Sequence, residues 1–119
     1  MASPKDTTTE TAVRAHDKRS GRSSKWITPK RRACIYARDL CACVYCDSQE
    51  RLTLDHVRPR HLGGSNRSNN LVTACISCNS ARGLRSVRGF VISLCDFYGL
   101  DWRVRLAAVK NAQRRRVPR

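Results

Sequence analysis

"LTLDHVRPRHLGGSNRSNNLV", residues 52–72, decides the fold. An alternating apolar run breaks off at Asp55-His56 into a polar stretch containing Pro59, Gly63, Gly64 and three asparagines, and a second apolar run begins at Leu71. Period-two alternation bounded by turn residues predicts strands over "RLTLDHV" and "LVTA", joined by a loop over 57–70.

Immediately outside this hairpin lie Cys43-x-x-Cys46 and Cys75-x-x-Cys78, separated by 28 residues. That length lets the hairpin bring the two cysteine turns together, and four thiolates in this arrangement make a closed tetrahedral site for structural zinc. Neither pair follows a strand in a βαβ pattern, which argues against redox chemistry. Of the remaining cysteines, Cys34 and Cys95 fall within helical patterns and read as core residues. Cys41 competes with Cys43 in "CAC", but only Cys43 has the x-x spacing to Cys46.

Farther out the pattern is helical. "TPKRRACIYARDL" offers Thr28 as N-cap, Pro29 at the first helical position, and Ala33, Ala37 and Leu40 as an inward stripe with basic residues outside. "CISCNSARG" reads as a turn leading into a short helix. Val87, Phe90, Val91 and Leu94 share one face of a further helix that stops at Gly99. Asp101 caps a last helix whose Trp102, Leu106 and Val109 form a stripe suited to packing on the hairpin. Residues 1–25, rich in Thr, Ser, Lys and Arg, read as a disordered basic arm, with order starting near Trp26 and a basic tail at the end.

The chain has 119 residues, with 24 Lys and Arg against 9 Asp and Glu, a formal charge of +15. So large an excess predicts a polyanionic partner. Seven cysteines, an odd number, and an N-terminus without an apolar run predict a reducing, cytoplasmic setting. No segment is long enough to span a membrane, and no membrane partner is expected.

Zinc clamping the two turns would make neighbours of the strand ends and the following helix, so Asp55, His56, Asn70 and Asn79 would converge. Adjacent residues on a regular strand point to opposite faces, so a shared site for Asp55 and His56 predicts a bend or bulge there. Asp55 and Asn79 supply two hard oxygens, suited to one catalytic Mg²⁺ or Mn²⁺ that keeps most of its shell for water and phosphate. His56, with an intrinsic pKa near neutrality, is the natural general base for water.

In "RD" at 38–39, "CVYC", "LDHVRPR", "GG", "NNLV" and "CISCNSARG", the chain resembles the zinc-bearing HNH endonucleases over residues 38–83. The resemblance implies an α+β fold: a small ββα-metal (His-Me finger) core with a four-cysteine zinc site and flanking helices. It implies a metal-dependent DNA endonuclease that leaves 5′-phosphate and 3′-hydroxyl ends. By the same resemblance His56 activates water, Asp55 and Asn79 hold the cation, and Asn70 bonds loop backbone and keeps His56 in place. Leu40 stands where many relatives have glycine, Asp47 replaces a glycine after the second cysteine, and Asn79 replaces the final histidine. Aspartate tolerates the left-handed conformation such a turn needs.

The division that follows is an arm over 1–25, a nuclease domain with its N-terminal helix over 26–85, and a helical extension with a basic tail over 86–119. Arg58, Arg60, Arg67, Arg82, Arg85 and Arg88 flank the site, and Arg58, Arg60, Arg82 and Arg85 are the expected phosphate contacts, with Arg82 and Arg85 favoured. His61 reads as solvated and His16 as part of the arm. Small stand-alone proteins of this kind resemble those of phages and mobile elements, some of which assist a packaging terminase. The competing readings are a zinc-stabilised DNA-binding module without chemistry and an RNA-directed protein.

Overall fold

The hairpin is an antiparallel pair, β1 (Leu52–His56) against β2 (Leu71–Cys75), in an unbroken register from Leu52 opposite Cys75 to His56 opposite Leu71. The computed structural model describes residues 27–118; the expected arm over 1–25, His16 within it, and Trp26 lie outside the described residues. Strand alternation gives the sheet two apolar faces, and each has its own core. Leu54 and Leu71 join Ile27 and Ile35 on one side, while Val72 and Ala74 join Cys43, Tyr45, Phe90, Val91, Cys95 and Val109 on the other. Each aliphatic side chain buried fully in these clusters contributes about 1.5–3 kcal/mol.

The first face is covered by α1 (Pro29–Arg38). Its start follows the sequence signals: Pro29 sits in the first turn, and Thr28 Oγ1 accepts from Arg31 N at 3.1 Å. Its inward face does not follow them. Ala33, Ala37 and Leu40 are exposed, whereas Ile35 and Arg38 are buried. The helix is turned so that Arg38 can reach backbone carbonyls, and that polar demand outweighs the burial of two alanines.

The second face is covered by α3 (Val87–Tyr98) and α4 (Trp102–Arg114), capped by Ser86 and Asp101, with Gly99 left-handed at φ 70° between them. Val87, Phe90, Val91, Cys95, Val109 and Ala112 are buried there, with Leu94, Trp102 and Leu106 packed around them. Polar contacts also tie α4 and its C-cap to the first cysteine turn, the hairpin loop and α1. Arg105 pairs with Asp47 at 2.9 Å, Gln113 Nε2 donates to Asn69 O at 2.8 Å, and Arg115 donates to Arg38 O at 3.0 Å.

A two-stranded sheet has two open edges, and buried edge groups need partners. Along β2, Arg38 donates to Leu71 O, Asp39 accepts from Thr73 N, and Val44 N donates to Thr73 O. Along β1, Tyr36 donates to Leu52 O from α1, while α2 (Ile76–Arg82) supplies Asn79 to Leu54 O and Arg82 to His56 O. The architecture is the α+β class expected: among the described residues, one two-stranded sheet, four helices and a four-cysteine cluster. No described helix is long and apolar enough to cross a membrane.

Candidate functional site

The sulfurs of Cys43, Cys46, Cys75 and Cys78 all lie within 4.8 Å of one another. Cys46 and Cys75 are 3.7 Å apart, against roughly 3.8 Å for two thiolates at 2.3 Å from a tetrahedral zinc. Cys41 is exposed and outside the cluster, Cys95 is buried in the core, and Cys34 is only half-buried. Local structure aims the four thiols inward. Asp47 takes φ 67° and its N–H donates to Cys43 O, closing the first turn, while Cys75 caps α2 through its sulfur. Hydrogen bonding among the thiols drives their acidities apart. Donation from Cys43 lowers Cys46 to about 7 and leads the lowering of Cys75, while Cys43 and Cys78, as the donors, are pushed up. A cation with affinity for sulfur resolves that conflict by stabilising every thiolate together, so the cluster fits zinc.

The second polar centre lies along the open edge of β1, in a pocket of ≈ 200 Å³ lined by Leu54, Asp55, His56, Pro59, Arg60, Asn79, Arg82 and Gly83. The predicted bulge is not there, since the ladder is regular through Asp55 opposite Val72 and His56 opposite Leu71. None is needed. A pocket on a strand's edge is reached from both faces, so Asp55 from one side and His56 from the other line the same space with α2.

Asp55 is buried. Its Oδ2 accepts from Tyr45 Oη at 2.6 Å and from Arg82 Nη1 at 2.8 Å, and its Oδ1 accepts from the same Nη1 at 2.8 Å. Burial, and then the Asp55 charge, push the Tyr45 phenol above its ordinary range and keep it a donor. Asn79 gives its amide nitrogen to Leu54 O at 3.4 Å, which directs its oxygen elsewhere. Asp55 Oδ1 and Asn79 Oδ1 are therefore the hard donors at the pocket, a set that fits a Mg²⁺-like cation whose remaining ligands are solvent or phosphate.

His56 is half-buried, with Nε2 at 2.8 Å from Asn66 Oδ1. The loop that carries Asn66 is held by Asn70. The Asn70 oxygen accepts from Arg58 N at 2.8 Å, and its nitrogen donates to Arg58 O at 3.1 Å and Ser65 O at 2.7 Å. Gly64 lies against the chain at Arg58 so closely that a Cβ would fall 1.7 Å from Arg58 O. No residue but glycine fits that crossing.

Three of the four arginines expected to contact phosphate, Arg58, Arg60 and Arg85, are exposed. Arg82 is not. It is 2% exposed and donates to Asp55, His56 O, Val57 O and Arg85 O, so the structure corrects its role from phosphate contact to internal clasp. Its position one turn after Asn79 on α2 aims it at the same β1 edge. Sequence reasoning also missed Tyr45 and Asn66, whose contacts cross 10 residues in each case. The tyrosine lies between two zinc-spaced cysteines and the asparagine is one of three in the loop, so neither carries a local signal.

No curated protein matches the chain. Residues 43–93, which take in both cysteine pairs, the hairpin, α2 and the start of α3, match the family model for HNH endonuclease, a match that suggests nuclease or DNA-binding function with DNA as the substrate.

Proposed function

We propose that the protein is a metal-dependent DNA endonuclease that hydrolyses phosphodiester bonds, with His56 as general base and Asp55 and Asn79 as the protein ligands of one divalent cation. The observation that carries this reading is the convergence of Asp55, His56 and Asn79 on one pocket in a strongly basic chain. Those three residues supply a proton acceptor and two hard oxygens side by side, which a module that only binds DNA does not require.

When bound, Mg²⁺ or Mn²⁺ supplies Lewis-acid stabilisation of charge on the scissile phosphate. The chain does the rest. His56 takes the proton of the attacking water as the oxygen–phosphorus bond forms, the bond to the 3′ oxygen breaks, and the departing 3′ oxyanion takes a proton from solvent water, leaving a 5′-phosphate and a 3′-hydroxyl. Arg60 at the pocket, with Arg58 and Arg85 on exposed surface nearby, holds flanking phosphates through charge, which gives affinity without base preference. Asn70 keeps the loop closed beneath His56. Zinc on Cys43, Cys46, Cys75 and Cys78 is structural and sets where the strand ends meet.

The test is single-turnover nicking of supercoiled DNA by wild type and His56→Ala at equal zinc content. Loss of a general base lowers the rate by about 10²–10⁴-fold, with DNA affinity unchanged. Equal rates would remove His56 from the mechanism, and no cleavage by wild type with any divalent metal would leave the DNA-binding module as the better reading.

A further inference from the structure

We propose that Asn66 is a positioning residue that fixes both the orientation and the tautomer of the His56 ring. The inference rests on the reading of His56 as general base and names the group that prepares it. The ring nitrogen Nε2 is 2.8 Å from Asn66 Oδ1. A carboxamide oxygen can only accept, so Nε2 carries the proton; a neutral imidazole has one N–H, so the lone pair that takes a proton from water is on Nδ1.

The amide's orientation has independent support, because Arg60 Nη1 approaches the same Oδ1 at 3.5 Å. With the amide reversed, an NH₂ group would face a guanidinium. The backbone of Asn66 is anchored as well, by Arg31 Nη2 donating to Asn66 O at 2.6 Å across 35 residues. Its neighbours are fixed by the bonds from Arg67 N to Ser65 Oγ and from Asn70 Nδ2 to Ser65 O. A loop segment whose backbone is held at three points presents its side chain in a fixed place, from which Asn66 can hold a ring in turn. Asn70 closes the loop, and Asn66 is where the closed loop grips the base.

The experiment records long-range ¹H–¹⁵N spectra of neutral His56, identified by its absence in His56→Ala, for wild type, Asn66→Ala and Asn66→Asp, alongside single-turnover nicking. Wild type and Asn66→Asp, which keeps the acceptor oxygen, should show the Nε2–H tautomer. Asn66→Ala should show a mixture and cleave about 10–100-fold more slowly at unchanged DNA affinity, the usual cost of removing a partner that orients a reactive ligand. If the alanine variant does not fold, Asn66→Ser, too short to reach the ring, is held to the same criteria. An unaltered tautomer in the truncated variant overturns the proposal. A lost tautomer beside full-rate cleavage by His56→Ala supports the grip on the ring and overturns instead the assignment of His56 as base.

Discussion

Arg38–Asp39 and Arg82–Asp55 are two buried ion pairs that guard opposite edges of one small sheet, yet they are built differently. In the first, Nε and Nη2 of Arg38 meet the two oxygens of Asp39 at 2.7 and 3.0 Å as a fork, and Thr73 N adds a third bond. Both side chains are 0% exposed. In the second, a single nitrogen, Arg82 Nη1, spans both oxygens of Asp55, and Tyr45 adds its bond to Oδ2 alone. Each carboxylate accepts three bonds, one of them at Oδ1, so what separates them is their surroundings: Asp39 is fully enclosed, whereas Asp55 lines the pocket. The same residue types thus make a closed clasp on β2 and, on β1, a carboxylate that lines a pocket.

The largest effect that can break this comparison lies upstream of both pairs. Tyr45 sits inside the first cysteine turn and Thr73 two residues before the second, so zinc held by the four cysteines would fix a partner of each carboxylate. Cys78→Ser, or chelation strong enough to strip zinc, should unfold the domain and abolish both pairs together, because structural zinc is worth about 10–16 kcal/mol in small zinc domains. Metal analysis and circular dichroism check this. A zinc-free protein that keeps its helices and a cooperative transition would show that the hairpin stands without the clamp.

A smaller effect separates the two pairs. Asp39→Asn and Asp55→Asn each leave an arginine buried without its counter-charge, so both should lose about 3–5 kcal/mol of stability in urea unfolding at saturating zinc. Cleavage per folded molecule should then diverge. Asp39→Asn should cleave as wild type does, and Asp55→Asn should fall more than about 100-fold, beyond what losing a merely supporting partner costs. Parallel losses in both variants would mean that Asp55 is only a second clasp.

The pairs also show what a sequence can display. The four-cysteine cluster and the hairpin were legible because ligand spacing and strand alternation are local, and the convergence of Asp55, His56 and Asn79 on one pocket was legible from the motif around them. The inward face of α1 was not legible. Apolar periodicity selected Ala33 and Ala37, but the helix turns Arg38 inward to satisfy Ser68 O and Leu71 O, 30 and 33 residues away. Arg82 misled for the same reason. An arginine on a basic chain reads as surface charge until the backbone carbonyls it serves are known, and Tyr45 and Asn66 likewise act on partners that only the closed fold brings near.

The smallest effects concern how the chain leaves each pair. After Arg82 it passes through Gly83 at φ 56°, ψ −126°, a conformation reserved for glycine; after Asp39 it passes through Leu40 at φ 61° and Cys41 at φ 53°. A Cβ on Gly83 would meet only Ser80 O at 3.9 Å, so Gly83→Ala measures backbone strain with no clash, and a loss of about 1–3 kcal/mol is expected. Leu40 is the reverse case. It is 74% exposed, so it returns little burial for its left-handed backbone, which costs a residue with a Cβ about 1–2 kcal/mol. Glycine removes that strain but adds about 0.5–1 kcal/mol of unfolded-chain entropy relative to alanine. Leu40→Gly should therefore raise stability by no more than about 1.5 kcal/mol, read as a higher urea midpoint at unchanged slope and with nicking activity intact. A lower midpoint would show that Leu40 contributes packing beyond its exposed surface, and the two exits would then be equally well fitted to their residues.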